Sequence, residues 1–293
     1  MINYSFVIPH KNTPQLLHRC LDSIPQRDDV EIIIVDNNSS RDIVDFEKYP
    51  GSDRSDVTII KDNNSIGAGG ARNTGLKHAR GIWVLFADAD DYYSGEVLDV
   101  LDKYKDGIWD VVYFNFIREV NGVSTPLPRT LKFLIDAFRH PDRDIDILKY
   151  RYSVPWNKMV KRSLIDAHHV TFEDCIVGND VFYTYQVGYF ARSVAVEDAK
   201  LYHYSVTENS VSTRKNNSTA YYECFCRHHF QCKEFLKFVH HKYWTKSMLR
   251  NFASIYLKRG LGQLVLALRV YVCNYRKNII QKHYFVSEIK KNG

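Results

Sequence analysis

Strands and helices are predicted to alternate over the first 116 residues, and this alternation restricts the chain to a few fold classes. Short runs rich in β-branched and aromatic residues are separated by segments with helical spacing of apolar residues. This pattern predicts an α/β fold with a mostly parallel sheet flanked by helices. Thr13 and Pro14 are expected to begin the first helix as its N-cap and first helical residue. The predicted strands are YSFVI (4–8), EIIIV (31–35), VTIIK (57–61), IWVLF (82–86) and DVVYFNF (110–116).

The pattern becomes less regular after Phe116. The elements predicted there are a hairpin around Asn121 and Gly122, a helix over residues 179–190, and strand-like runs at 193–197 and 200–206. Beyond Asn216 the sequence is helical in pattern and basic. We therefore expect one α/β domain over residues 1–215 and a basic helical extension over residues 216–293.

The fourth predicted strand runs directly into three carboxylates, Asp88, Asp90 and Asp91. Carboxylates this close repel one another, so a divalent cation held among them is favoured. The alternative is a solvated acidic turn that caps a helix near Ser94, a role that suits Asp91 better than metal ligation does. Asp36, which immediately follows the second predicted strand, is expected at the same edge, because parallel sheets bind ligands at the carboxyl ends of their strands.

The cysteine pattern and the amino terminus indicate a reducing compartment. Six cysteines are scattered through 293 residues, and MINYSFVIPHK lacks the features of a signal peptide. A cytoplasmic protein with reduced thiols is therefore expected. The segment CFCRHHFQC (224–232) leaves a zinc site as an alternative, but a Cys-x-Cys pair on a helix directs its thiols to different faces, which favours free thiols.

The glycine-rich segment SIGAGGARNTG (65–75) does not match the common phosphate-binding loops. A dinucleotide fingerprint follows the first strand, where this chain has HKNTP, and a P-loop needs lysine after its second glycine, where Leu76 follows Gly75. Sugar nucleotidyltransferases also have their glycine-rich loop after the first strand. These three classes of protein are therefore disfavoured.

An ordered series of sequence blocks resembles the inverting glycosyltransferases of family 2, which have a GT-A fold. The blocks are SFVIPHKN, EIIIVDNNSSRD, GAGGARNTGLKHARGIWVLFADADD, PWNKMVKRSLI and GNDVFYTYQ, and they lie between about residues 4 and 215. The resemblance implies a Rossmann-like catalytic domain over residues 1–215. Residues 1–116 would be its nucleotide-binding half, and residues 117–215 its acceptor-binding half.

The resemblance implies a donor site at the carboxyl ends of the strands. Asp88 and Asp90 match the family's Asp-x-Asp motif, which holds Mn²⁺ or Mg²⁺ against the diphosphate of a nucleotide sugar. Arg72 matches the arginine of an Ala-Arg-Asn motif and is expected to bind phosphate, to pair with the Asp cluster, or both.

The nucleotide base is expected near the ends of the first two strands. Asp36 and Asn37 match the family's base-binding positions, where Asp-Asp or Asn-Asp is commoner, and the Asn37 carbonyl can accept from the N3–H of uracil or thymine. Pro9 and His10 would flank the base. The alternative for His10 is a loop histidine satisfied by the backbone.

Asp180 matches the family's general base, which takes the proton from the acceptor hydroxyl during inversion. The preceding residue is Asn179, where the family has glutamate. The alternative is that Asp180 is a carboxylate favoured at the amino terminus of a helix by its dipole.

Several further residues are implied for the acceptor or the diphosphate. Trp156 would stack on a sugar and Lys158 would meet phosphate, with a core tryptophan as the alternative. The segment LYHYSVTENSVS resembles the family's closing segment, which implies that His203 binds the metal and that Ser210 or Ser212 reaches the diphosphate.

The carboxyl-terminal region is strongly basic. Residues 227–293 contain 14 Lys or Arg and two Glu, a net charge of +12 against +6 for the whole chain. The apolar stretch 260–273 is too short to span a membrane, so we expect a helix that lies at the inner membrane face, with packing on the catalytic domain or in a homodimer as alternatives. Nucleic acid is disfavoured, because the front of the chain is acidic.

The expected function is transfer of a sugar, with inversion, from a nucleotide-sugar donor to a hydroxyl of a glycan or lipid-linked acceptor in surface-glycan synthesis. A UDP-sugar is the favoured donor. The alternatives are a dTDP-sugar donor, as in rhamnosyl transfer, and a non-catalytic membrane-associated protein on the same fold.

Overall fold

A computed structural model describes residues 1–65, 67–142, 144–176, 178–206, 222, 235–236 and 248–273. Four parallel strands form the first half of its sheet, in the spatial order β3-β2-β1-β4. They are β1 (Tyr4–His10), β2 (Val30–Asp36), β3 (Val57–Lys61) and β4 (Trp83–Phe86). The predicted α/β class with a mostly parallel sheet is confirmed.

The second half of the sheet contains the other five strands, and its order continues as β4-β8-β6-β9-β5, with β7 paired to β6. They are β5 (Tyr92–Tyr93), β6 (Val111–Val120), β7 (Val123–Thr125), β8 (Lys158–Lys161) and β9 (Val194–Val206). Strand β8 is antiparallel to both β4 and β6 and separates them, which the sequence did not predict. Its four residues, KMVK, have lysine at both ends and give no strand pattern.

The predicted hairpin at Asn121 and Gly122 is confirmed. Both residues have positive φ angles, 51° and 77°, as a two-residue turn between β6 and β7 requires. The two strand-like runs near residue 200 form one strand, β9. The pairing of β9 with β6 is irregular around Asn115 and continues on both sides of it. The Asn115 amide donates to the Asp198 carboxylate of β9 at 2.8 Å, which holds the two strands together at the irregularity.

The helices flank this sheet, and the predicted helix over residues 179–190 is confirmed. Helix α1 begins after Thr13, although the Thr13 side chain makes no capping hydrogen bond. The helices are α1 (Pro14–Asp22), α2 (Gly67–His78), α3 (Val97–Leu101), α4 (Phe133–Arg139), α5 (Asp146–Tyr150), α6 (Arg162–Ala167), α7 (Asn179–Phe190), α8 (Met248–Arg259) and α9 (261–273), with a 3₁₀ turn at Arg129–Leu131.

Strands β1, β2 and β4 form the centre of the core, because nearly all of their residues are buried and most are apolar, as in parallel strands covered on both faces. Helix α2 packs closely on β1 at Gly75, where a side chain would collide with Val7. This close approach fixes the position of Arg72, one turn earlier on α2.

Some predictions fall partly or wholly outside the described residues. The boundary at residue 215 and the cysteine cluster at 224–232 lie outside them. Among the described cysteines, Cys20 and Cys175 are buried and Cys273 is exposed, and the predicted reducing compartment stays a prediction. Among the helices that the structure describes, none is both long enough and apolar enough to cross a membrane.

Candidate active site

The turn after β4 is held against β9 by hydrogen bonds. The backbone N–H of Asp88 donates to the Tyr202 hydroxyl at 2.9 Å, and the same hydroxyl donates to Asp91 at 2.9 Å. Asp91 is 1% exposed and also accepts from the Ser205 backbone N–H at 2.7 Å. The predicted role of Asp91 as a helix cap is wrong, because α3 begins only at Val97 and the carboxylate binds β9 instead.

The three carboxylates interact electrostatically. Burial, together with the charges of Asp88 and Asp90, raises the pKa of Asp91 well above its ordinary value. Burial and the charge of Asp88 raise the pKa of Asp90 to about 6. A positive group among these oxygens would relieve this repulsion, so the donor set fits a hard cation.

Arg72 joins the carboxylate turn to α7. Its Nη1 atom donates to Asn179 Oδ1 at 3.0 Å, and its Nη2 atom contacts Asp88 Oδ1. The guanidinium is 5% exposed and lies 5.3 Å from the centre of the Phe172 ring. The predicted ion pair of Arg72 with the Asp cluster is therefore confirmed, while its contact with phosphate remains a prediction.

Asp180 lies in the first turn of α7, directly after Asn179. Gly178 precedes this turn with a φ of 68°, a left-handed conformation that glycine adopts easily. The Asp180 charge acts on two buried groups, opposing the lowered pKa of Lys158 and adding to the burial that raises the pKa of Tyr152. Asp180 directly follows Asn179, the residue that accepts from Arg72, and its role as base remains a prediction.

His10 lies at the end of β1, and its side chain is fully buried. Its Nδ1 atom faces Asp36 at 3.2 Å and the Tyr49 hydroxyl, while its Nε2 atom accepts from the Thr13 backbone N–H at 3.1 Å. An accepting Nε2 requires the proton on Nδ1. The structure therefore favours the alternative of a histidine satisfied within the protein over contact with a base.

Asp36 organises the loop after β2. It accepts from the Tyr49 hydroxyl at 2.8 Å and from the Ser39 backbone N–H at 3.0 Å. Burial alone would raise the pKa of Asp36, but these and other hydrogen bonds, the largest from His10, hold it well below its ordinary value. Asp36 is therefore a carboxylate that stays charged in the folded protein.

Asn37 and Pro9 lie at the same edge of the sheet. The Asn37 amide nitrogen donates to the Ser65 carbonyl at 2.9 Å, which fixes the side chain on the loop before α2. Pro9 pairs with Val35 in the β1–β2 register and is partly exposed.

A cavity of about 190 Å³ lies beside the ends of β2 and β3. It is lined by Asp36, Asn38, Ser39, Arg41, Phe46, Lys61 and Asn63.

Trp156 and Lys158 are both in the core. Trp156 is 3% exposed and stacks on Tyr202, with ring centroids 4.6 Å apart, which favours the core alternative over sugar stacking. Lys158 is 0% exposed and its ammonium donates to the Val154 carbonyl. Burial lowers the pKa of Lys158 to about 7.

The predicted metal contact of His203 is not supported. Side chains alternate along a strand, so His203 and its neighbour Tyr202 lie on opposite faces of β9, and Tyr202 faces the carboxylates. His203 pairs instead with Glu119 at 3.0 Å and stacks on Tyr92 at 4.3 Å. Ser210 and Ser212 lie outside the described residues.

Across the described ranges, no group of three or more His, Cys, Asp or Glu side chains is arranged to hold a metal ion. A cation at Asp88 and Asp90 would therefore take its remaining ligands from phosphate oxygens and water, as Mg²⁺ commonly does. The donor set fits a metal that arrives with a diphosphate better than one bound permanently by the protein.

Sequence reasoning missed two residues that shape this site. Tyr202 bonds both Asp88 and Asp91, and the alternation of KLYHYSV would have identified it once the strand face was known. Arg19 in α1 contacts the Asp90 carbonyl and donates to Ser205 Oγ at 3.1 Å. No local motif distinguishes Arg19 from other surface arginines.

Known proteins resemble this chain in sequence. The profile of glycosyl transferase family 2 matches residues 5–171, more than half of the chain. The putative glycosyltransferase EpsH of Bacillus subtilis (strain 168) is 28% identical over 218 residues, which is 72% of this chain and 62% of EpsH. The poly(ribitol-phosphate) beta-N-acetylglucosaminyltransferase TarS of Staphylococcus aureus (strain Mu50 / ATCC 700699) is 26% identical over 213 residues, 70% of this chain and 36% of TarS. The matched part thus spans less than two thirds of either relative.

Solved structures resemble it in fold. S. aureus TarS 1–349 in complex with UDP-GlcNAc superposes with a TM-score of 0.68 at 20% identity, covering 99% of this chain and 89% of that one. The mannosyltransferase PcManGT from Pyrobaculum calidifontis, in complex with GDP-Man and Mn²⁺, gives 0.51 at 17% identity, with 99% and 86% covered. The GT-A fold is confirmed, and the chain belongs to glycosyl transferase family 2.

Proposed function

We propose that this protein transfers a sugar, with inversion, from a UDP-sugar to a hydroxyl of a glycan or lipid-linked acceptor. One observation carries the proposal: Arg72 contacts both Asp88 and Asn179. The acidic turn expected to bind the donor and the helix that begins with the expected base are therefore held together by a single guanidinium. A family 2 transferase needs these two parts on either side of the anomeric carbon.

The residues divide the reaction between them. Asp180 would accept the proton of the acceptor hydroxyl as its oxygen attacks the anomeric carbon from the face opposite the diphosphate. Arg72 would donate to the diphosphate and stabilise the charge that develops there. Tyr202 would keep the acidic turn in position through its two hydrogen bonds.

Asp88 and Asp90 would hold Mn²⁺ or Mg²⁺, which supplies Lewis-acid stabilisation of the leaving diphosphate when bound. The raised pKa of Asp90 supports this assignment, because it comes first from burial and then from the charge of Asp88, and a bound cation would offset both. The Mn²⁺ named with the PcManGT structure is consistent with it.

The nucleoside would lie along the ends of β1 and β2. Asn37 and Pro9 line this edge, and the cavity beside β2 and β3 offers Phe46 as an aromatic wall. A pyrimidine is favoured because the Asn37 carbonyl can accept from its N3–H. The UDP-GlcNAc named with the TarS structure supports UDP over dTDP.

The name of one relative indicates an acceptor for this protein. TarS is named for poly(ribitol phosphate), so this polymer is the first acceptor to test. We propose a role in surface-glycan synthesis, with peripheral contact of the basic carboxyl-terminal helices at the inner face of the membrane.

A thermal-shift panel tests the donor site. UDP, dTDP, GDP and CDP are each added with and without Mn²⁺. We expect UDP to raise the melting temperature of the protein only when metal is present. If the donor is a dTDP-sugar, dTDP should do so instead. Equal responses to all four nucleotides, or a response without metal, would contradict the assignment of the site.

A further inference from the structure

Helices α8 and α9 form a hairpin at the carboxyl end of the described chain. Gly260 joins them with a φ of 82°, and its N–H donates to the Tyr256 carbonyl at 2.9 Å, ending α8. Phe252 of α8 and Tyr271 of α9 meet edge to face at 5.4 Å. Phe252, Ile255, Leu266, Ala267 and Val270 pack in the same small cluster with Tyr222. The inner faces of both helices are thus already covered.

Each helix also has a second apolar stripe, which faces solvent. On α9 the exposed residues follow a spacing of four, three and four, which is one face of a helix. On α8 Leu249 and Tyr256 are seven residues apart and share a face, and the exposed Leu257 lies next to it. The side chains of the two stripes are 39–80% exposed: Leu249, Tyr256, Leu257, Leu261, Val265, Leu268 and Val272. A patch of this kind usually marks an interaction surface.

The charges around the two stripes are all positive. Residues 248–273 contain Arg250, Lys258, Arg259 and Arg269 and no acidic residue. The whole segment 235–287 lacks Asp and Glu. A partner for this surface must therefore combine an apolar region with negative charge.

We infer that the exposed stripes of α8 and α9 bind the surface of an anionic lipid bilayer. Leucine and valine side chains would enter the boundary between headgroups and acyl chains, while the arginines and lysine meet anionic headgroups. A second copy of the chain fits less well, because a two-fold contact would bring the same cationic surfaces together. Over the described residues 248–273 neither helix is long and apolar enough to span a bilayer, so binding at its surface is the arrangement we propose.

This inference adds a specific partner surface to the proposed function, but bilayer binding itself does not depend on the transfer reaction. The surface would bring the active site to a lipid-linked acceptor. Because donor binding is measured separately, failure of vesicle binding would remove the membrane contact from the proposed function and leave the transfer reaction intact, whereas failure of the nucleotide panel would leave bilayer binding intact.

Co-sedimentation of the full chain with vesicles tests the surface. We expect binding to vesicles of equal parts phosphatidylcholine and phosphatidylglycerol, weak binding to phosphatidylcholine alone, and weaker binding at high salt. The double substitution Leu257→Ser with Val265→Ser should weaken binding about tenfold or more, because two apolar side chains no longer leave water. Both side chains are exposed, so the melting temperature and the thermal shift with UDP and Mn²⁺ should not change.

A matched control has equally exposed apolar residues in the α/β domain. Ile108→Ser with Val123→Ser removes side chains that are 80% and 65% exposed and should leave vesicle binding unchanged. Equal loss in both double variants, or no binding of the wild type to anionic vesicles, would overturn the inference. A dimer in sedimentation velocity that dissociates only in the Leu257/Val265 variant would also overturn it and identify a second copy as the occupant.

Discussion

The Nη1 nitrogen of Arg72 lies 3.0 Å from the Oδ1 oxygen of Asn179, and this hydrogen bond ties α2 to the first turn of α7. Sequence resemblance predicts glutamate at position 179, so a neutral amide here accepts from the guanidinium where a carboxylate was expected. Asp88 supplies a charged partner for the same group. Because residue 179 is neutral, the positive charge of Arg72 is balanced by the Asp88 carboxylate and not also by a glutamate. The potential that Arg72 presents to a diphosphate is therefore more positive.

Removing the amide should destabilise the protein. Asn179→Ala leaves a buried guanidinium N–H without its acceptor, which costs about 1.5–3 kcal/mol for a hydrogen bond to a charged group. Urea unfolding at pH 7 measures this change. Asn179→Asp keeps an acceptor oxygen and should lose much less. If Asn179→Ala and Asn179→Asp have the same free energy of unfolding, the hydrogen bond to Arg72 does not stabilise the contact between α2 and α7.

Gly69 should be intolerant of a side chain. A Cβ at this position would collide with the Glu173 carbonyl oxygen and lie 2.6 Å from Asn179 Cβ, so α2 and α7 would have to separate. We expect Gly69→Ala to lower the free energy of unfolding by about 1–3 kcal/mol and to weaken UDP binding in the thermal-shift assay.

Gly262→Ala is the control for this change. Nothing lies within 4 Å of a Cβ at Gly262, which is in α9, so alanine should stabilise that helix by about 0.5–1 kcal/mol. A loss of stability in both variants would show that glycine itself, and not the contact with α7, determines the effect at Gly69.

The hydrogen bonds of Asp36 predict how stability depends on pH. The pKa of Asp36 is lower in the folded protein than in the unfolded chain, so its contribution is present above about pH 4 and is lost as the pH falls. Tyr49→Phe removes one of its donors and should cost about 1.5–3 kcal/mol at pH 7. Acid unfolding, followed by circular dichroism, should then begin at a higher pH in Tyr49→Phe than in the wild type. An unchanged acid midpoint would contradict the stabilising role of this bond.

The sequence predicts the strands that are buried on both faces, because they are long apolar runs. It misses short strands that form only because other strands lie beside them. Strands β1 and β2 are buried on both faces, so their apolar runs identify them without further information. Strand β8 has only Met159 and Val160 between two lysines, and its place between β4 and β6 is a tertiary property.

In the site, too, contacts between residues near in sequence are predictable and contacts between distant residues are not. The link between Arg72 and Asp88 is predictable because Arg72 lies in α2 and Asp88 follows β4, the next element along the chain. The resemblance of LYHYSVTENSVS to the family's closing segment implies His203 as a metal contact, yet the face of β9 places Tyr202 at the turn. For His10 the expectation is contact with the base, with satisfaction by the backbone as the alternative, and its contact with the Tyr49 hydroxyl, 39 residues away in sequence, has no local signal.

Lys158 should destabilise the fold at neutral and acidic pH. Burial lowers its pKa to about 7, whereas the unfolded side chain titrates near 10.4, so the unfolded chain binds more protons between these values and stability rises with pH. Lys158→Met should therefore be more stable than the wild type at pH 6, by on the order of 2 kcal/mol, and the difference should shrink at pH 9. Urea unfolding at both pH values measures it.

The same variant tests whether Lys158 binds the donor. A buried lysine whose ammonium contacts the Val154 carbonyl and the Tyr113 ring, and not the donor, should leave the thermal shift with UDP and Mn²⁺ unchanged when it is replaced. Loss of that shift in a stable Lys158→Met protein would instead support the predicted phosphate contact.

Asp180→Asn should separate donor binding from transfer. The amide keeps the size and polarity of the side chain but cannot take the proton from the acceptor hydroxyl, so turnover should fall about 100- to 10,000-fold while metal-dependent stabilisation by UDP persists. Transfer is measured with the acceptor that the wild type uses. Asp166→Asn, at an exposed carboxylate paired with Arg162, is the control and should keep wild-type turnover. Undiminished transfer by Asp180→Asn would exclude Asp180 as the base, whereas loss of UDP binding would mean that its carboxylate belongs to the donor site.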